Sequence, residues 1–141
     1  MPHELRDHTA DVAVAATGDT LDALFAAVAD GLTAASSESV PETGGERFGV
    51  EETAASREAV LFDYLDRLIY ERDVRHVLPA DHRCRVRESA ADETGAWTVE
   101  ASARGVPLAA VDAREIKAVT YSEMRVERRA DGWEAYVVFD V

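Results

Sequence analysis

The sequence predicts an α+β fold in which a largely antiparallel sheet, or pair of sheets, is covered by two amphipathic helices. Three observations predict it. Apolar residues recur at helical spacing in two separate stretches, and strand-like segments precede each of them. The second half of the chain is a run of alternating segments broken by glycine turns, as consecutive hairpins are. At 141 residues the chain is long enough to bury a core without disulfide or metal staples, and it reads as a single domain over residues 1–141.

Ala10 to Ala16 alternates valine with smaller residues and reads as a first strand ending at Gly18. Asp19-Thr20 can cap the helix that follows, whose stripe is Leu21, Leu24, Phe25, Val28, Ala29 and Leu32. Ser36 to Glu46 holds Pro41 and Gly44-Gly45 and reads as a surface loop. Arg47 to Glu52 is a short strand. A second helix runs from about Ser56 to Arg72, burying Leu61, Leu65, Leu68 and Ile69, with Asp63, Asp66, Arg67 and Glu71 on its solvated faces. Strands then follow at Arg83 to Ser89 and Trp97 to Ala101 around an Asp92-Glu93-Thr94-Gly95 turn, and at Ile116 to Tyr121, Met124 to Arg128 and Trp133 to Asp140. Asp131-Gly132 is the turn signal between the last two.

Composition excludes several classes of function. No apolar run approaches the roughly 18 to 20 residues that cross a bilayer, so no membrane association is expected. The N-terminus lacks the pattern of a signal peptide. The single cysteine, Cys84, has no partner for a disulfide or for a zinc-binding pair. Together these place the protein in a reducing cytoplasm. Twenty-eight acidic against fifteen basic residues give a net charge of −13, which repels phosphate backbones and argues against direct nucleic-acid binding. Adaptation to a salt-filled cytoplasm accounts for this acidity, and a surface shaped for a basic partner is the alternative. All the basic residues but Lys117 are arginine.

Generic catalytic motifs are absent: there is no P-loop, GxGxxG, HExxH or GxSxG. Arg83 and Arg85 would acidify the Cys84 thiol if they sat close to it. Neither His76 nor His82 is placed as its base, and a lone strand cysteine is usually packing. Two other segments carry more chemistry. In Asp7-His8-Thr9-Ala10-Asp11, an extended backbone projects Asp7, Thr9 and Asp11 to one side. At the other terminus the strand Val137 to Val141 runs to the last residue and sets the Asp140 side chain beside the Val141 α-carboxylate. Together these oxygens would suit calcium, magnesium or manganese, because crowded carboxylates repel one another until a cation neutralises them. Surface decoration is the competing reading. In Glu115-Ile116-Lys117-Ala118-Val119-Thr120-Tyr121 the sole lysine suggests a position that needs an ammonium on a flexible stem, with chance survival as the alternative.

These segments resemble blocks of the archease family. Asp7-His8-Thr9-Ala10-Asp11-Val12 is similar to its N-terminal signature, DHTAD followed by a small or apolar residue. Gly18 to Phe25 resembles its "G-x-T-L-E-E-A-F" helix start, and Leu61 to Tyr70 its "LL-x-x-x-L-D-E-L-L-Y" helix. Glu115 to Tyr121 resembles "EIKAVTYH", and Val138 to Val141 the terminal "V-x-D-I". The five blocks keep the family order across almost the whole chain. The resemblance implies an archease-like fold and a protein that is not itself an enzyme. It implies instead one that acts with an RtcB-type RNA ligase, promoting guanylylation of the ligase's active-site histidine by GTP and many turnovers in tRNA splicing and RNA repair. It further implies that Asp11 and Asp140 coordinate a divalent metal, with Val141 and Asp7 as further ligands, and that Lys117 serves ligase activation. His8 belongs to the signature, and whether it ligates, orients a ligand or packs in the strand stays open. Ser122 stands where many relatives have histidine, Arg67 replaces a common acidic residue, and Ser36 to Glu46 matches poorly. Two competing classes are a free-standing metal-dependent hydrolase of small phosphorylated substrates, with His8 as base, and a general chaperone or adaptor.

Overall fold

The computed structural model describes residues 11–89 and 95–141. Among the described residues, six strands and two α-helices follow in the expected order, two strand–helix units and then a run of strands: β1 (Asp11–Gly18), α1 (Leu21–Ser36), β2 (Glu46–Ala54), α2 (Arg57–Arg75), β3 (Val77–Glu88), β4 (Trp97–Pro107), β5 (Ala118–Arg129) and β6 (Gly132–Asp140). A single 3-10 turn, Leu108–Ala110, follows β4. The strands form two three-stranded antiparallel sheets, ordered β1-β6-β5 and β2-β4-β3. The fold is α+β.

Each helix begins where its sequence supplies a cap. Thr20 Oγ1 accepts from the Ala23 N–H at 3.1 Å and Ser56 Oγ from the Ala59 N–H at 3.0 Å, satisfying donors that the first turn leaves orphaned. Helix α2 ends at His76, whose left-handed backbone (φ 57°) turns the chain directly into β3. Helix α1 lies against β1 and β3, and α2 against β2 and β5, so the two helices are shared between the sheets. Leu24, Phe25, Val28, Leu61, Tyr64, Leu65, Val99, Ile116, Val137 and Phe139 are fully buried in one core. Gly31 sits where α1 crosses β1, and a Cβ there would collide with Val14.

Three strands depart from expectation: β4 runs on to Pro107 rather than ending at Ala101, and β3 and β5 differ through bulges. Strand β3 begins at Val77 rather than Arg83. Its register slips between Ala80 and Arg83, with Asp81 at φ 51°, and Pro79 hides the alternation that would have announced the strand. The segments expected as separate strands at Ile116 to Tyr121 and Met124 to Arg128 form one strand, β5. Its register against β6 jumps from Thr120↔Val138 to Arg125↔Tyr136. Residues 121–124 therefore bulge out opposite Val137 alone, with Glu123 at φ 61°. The Asp131-Gly132 turn joins β5 to β6 as expected. The Asp92 to Gly95 turn lies outside the described residues except for Gly95, but Ser89 donates to the Ala96 carbonyl at 2.8 Å where the β3–β4 hairpin closes.

Candidate functional site

Sheet pairing brings together three segments that are far apart in the sequence. Strand β6 lies in the middle of its sheet, and its last residue, Asp140, is paired with Asp11 of β1 on one side and with Ala118 of β5 on the other. Directly paired residues point to the same face, with Cβ atoms about 4.5–5.5 Å apart, so the Asp11 and Asp140 carboxylates project together. That face is the solvated one. Along β1, Val12, Val14 and Ala16 turn toward the core while Asp11, Ala13 and Ala15 are exposed, and along β6 Phe139 is fully buried beside an exposed Asp140. Period-two alternation anchored by Val12 and Phe139 therefore holds both aspartates outward.

Lys117 reaches the same end of the sheet by a different route. Arg114 donates from its N–H to the Ser36 carbonyl at 2.8 Å and from Nε to the Ala35 carbonyl at 2.9 Å. This satisfies the last carbonyls of α1 and ties the incoming segment down. Ile116 is fully buried and Val119 nearly so, which leaves the intervening Lys117 exposed. The Lys117 N–H donates to the Asp140 carbonyl at 2.8 Å, so the lysine backbone is fixed one bond from the aspartate pair. Among the described residues, Lys117 forms an ion pair with neither aspartate. Asp7 and His8 lie outside the described residues.

Two facing carboxylates fit a hard divalent cation by donor chemistry. Among the described residues no third His, Cys, Asp or Glu side chain joins them. Calcium takes roughly six to eight oxygen ligands and magnesium about six, so Asp11 and Asp140 supply only part of a shell. Asp7 and Val141 are the further ligands that the resemblance adds.

Two other candidates resolve as structural. Cys84 points inward between the outward Arg83 and Arg85, and its thiol donates to the Tyr64 hydroxyl at 3.3 Å. Burial pushes the thiol pKa up to about 11, the opposite of activation, because alternation carries the two arginines to the other face. His82 is buried under α1, with Nε2 2.8 Å from Thr33 Oγ1. That hydroxyl donates to a carbonyl, Pro79 O at 2.8 Å or Ala29 O at 3.1 Å, so His82 donates to it from Nε2. Burial lowers the His82 pKa to about 4. Arg67, where an acidic residue is common in the resembled helix, bridges Glu52 at 2.9 Å and Glu71 at 2.8 Å and so is used within the fold.

Sequence reasoning missed an aromatic pair close to this end of the sheet, an exposed Tyr121 on a partly buried Phe62. Phe62 of α2 and Tyr121 of the β5 bulge stack with ring centroids 4.0 Å apart and planes at 4°. Phe62 falls outside the helix stripe, and the bulge that carries Tyr121 onto it leaves no pattern in the sequence.

The family model described as "Archease protein family (MTH1598/TM1083)" matches residues 3–141. Relatives named protein archease include one from Methanosarcina acetivorans, 32% identical with 99% of this chain and 95% of the relative covered. Another, from Thermococcus gammatolerans, is 33% identical with 96% and 95% covered. Among solved structures, protein 1598 of Methanobacterium thermoautotrophicum superposes with a TM-score of 0.79 at 24% identity over 96% of each chain. An archease from Thermotoga maritima, described as a possible chaperone, gives 0.63 at 23% identity over 99% of each chain. These two structures share the fold described above.

Proposed function

The chain belongs to the archease family, and from that premise we propose that it is an accessory protein that activates an RtcB-type RNA ligase through the end of the sheet where Asp11, Asp140 and Lys117 meet. The observation that carries this reading is the register that pairs Asp11 with Asp140 while the Lys117 N–H bonds the Asp140 carbonyl.

In this reading Asp11 and Asp140 hold a divalent cation, calcium, magnesium or manganese, with Asp7 and the Val141 carboxylate adding oxygens. His8 either completes that shell or orients it. A cation there supplies charge neutralisation of the kind nucleotidyl transfer from GTP requires. The chain's own part is to present the carboxylates on a rigid strand pair, so that docking at the ligase costs little ordering entropy. The Lys117 ammonium, on a flexible stem with three donors, pairs with a phosphate oxygen or a ligase carboxylate. The protein contributes no reacting group and binds no RNA directly, since its net charge of −13 opposes phosphate approach.

Single-turnover guanylylation of the same organism's ligase, with and without this protein and with manganese or magnesium present, tests the proposal. Wild type accelerates the step at least tenfold. Lys117→Ala, and Asp11→Ala combined with Asp140→Ala, remove the acceleration while circular dichroism and the urea midpoint show an intact fold. Unchanged rates with the folded variants would refute it. So would phosphatase activity of the purified protein alone that Asp11→Asn abolishes, which would restore the hydrolase reading.

A further inference from the structure

Tyr70, Val74 and Tyr121 are the large apolar side chains left exposed among the described residues, at 57%, 56% and 56% of their full area. They lie on one side of the molecule. In α2, Asp63, Asp66, Tyr70 and Asp73 follow one another at spacings of three and four, and Val74 stands one turn beyond Tyr70, so the five share a face pointing away from the core stripe. Tyr121 reaches this helix through the β5 bulge and lies flat on Phe62. The flat contact leaves the other face of its ring to solvent.

Among the described residues, acidic groups left without partners rim the Asp63 end of this aromatic surface. Glu52, Asp63 and Asp66 crowd together; burial, then Glu52, then Asp66 raise the Asp63 carboxyl above its ordinary value. The arginines nearby are already committed: Arg67 to Glu52 and Glu71, Arg75 to Glu71, Arg72 to Asp73. Among the described residues neither Asp63 nor Asp66 has an ion-pair partner. Tyr121 lies four residues beyond Lys117 in the chain, so the two backbones are at most about 13 Å apart.

We infer that the outer face of α2, with Tyr121, docks an arginine-rich protein surface on the ligase, while the Asp11, Asp140 and Lys117 end does its work alongside. This inference rests on the function proposed above. Exposed tyrosine faces attract guanidinium groups, and unpaired carboxylates accept their paired hydrogen bonds. An enzyme that handles RNA carries basic surfaces of this kind. A second copy of this chain does not fit, because it would bring carboxylates against carboxylates. RNA is repelled for the same reason.

The test is the affinity of the full chain for the ligase, read by calorimetry beside the guanylylation rate. Tyr70→Ala and Asp66→Arg each weaken binding at least tenfold. Asp131→Arg, the same charge change in the exposed β5–β6 turn at the far end of the sheet, leaves affinity within twofold. Acceleration by the Tyr70 and Asp66 variants returns when their concentration is raised, because only docking is impaired. Wild type that binds and accelerates while both variants bind equally well would overturn the inference and spare the proposed function. Wild type that neither binds nor accelerates would overturn both. A homodimer in sedimentation that Tyr70→Ala splits would also overturn it, by assigning the face to a second copy.

Discussion

Residues in this chain take their chemistry from the side of the strand they occupy. Asp11 and Asp140 are exposed because each alternates with a core residue, Val12 or Phe139; the sequence grouped them, but the register that pairs them directly was not legible there. Local patterns set which face a residue occupies, but which strands pair is decided by long-range packing. His82 shows the reverse case, a polar side chain drawn inside. Its pKa of about 4 lies below the 6.5 of an exposed histidine, so below pH 6.5 the unfolded chain takes up a proton that the folded chain refuses. The neutral state's full stability is present above pH 6.5 and is lost progressively as the pH falls to 4, by about 3 kcal/mol. Urea unfolding at pH 7 and pH 4.5 should show this loss, and His82→Gln should flatten the dependence by a comparable amount.

At the scale of elements, helices were the most legible part. Thr20 and Ser56 announce their starts, and the apolar stripes announce their buried faces. Strands were legible where they alternate and illegible where they bulge. Pro79 and the left-handed Asp81 conceal the first half of β3, and the polar Ser122-Glu123 step splits β5 in the sequence but not in the sheet. The turn that closes β5 onto β6 depends on its glycine. Gly132 has φ 148°, and a Cβ there would lie 2.5 Å from the Gly18 carbonyl oxygen. Gly132→Ala should destabilise the fold by about 1–3 kcal/mol, seen as a lower urea midpoint at unchanged slope.

For the whole molecule, two helices shared between two small sheets produce one surface with distinct zones. The end of the β1-β6-β5 sheet gathers both near-terminal strands and the Lys117 segment, and the β5 bulge leads from there to the exposed face of α2. Composition foretold the negative surface, but its division into an aspartate pair and an acid-rimmed aromatic face depends on tertiary contacts such as Phe62 with Tyr121. In the proposed function Asp11 and Asp140 act as one unit on the ligase. A double-mutant cycle in single-turnover guanylylation, with Asp11→Asn, Asp140→Asn and their combination, tests it most directly. If the two carboxylates share one cation, either single change removes most of the acceleration and the double variant loses little more. Losses that multiply independently, or single variants that accelerate like wild type, would contradict it.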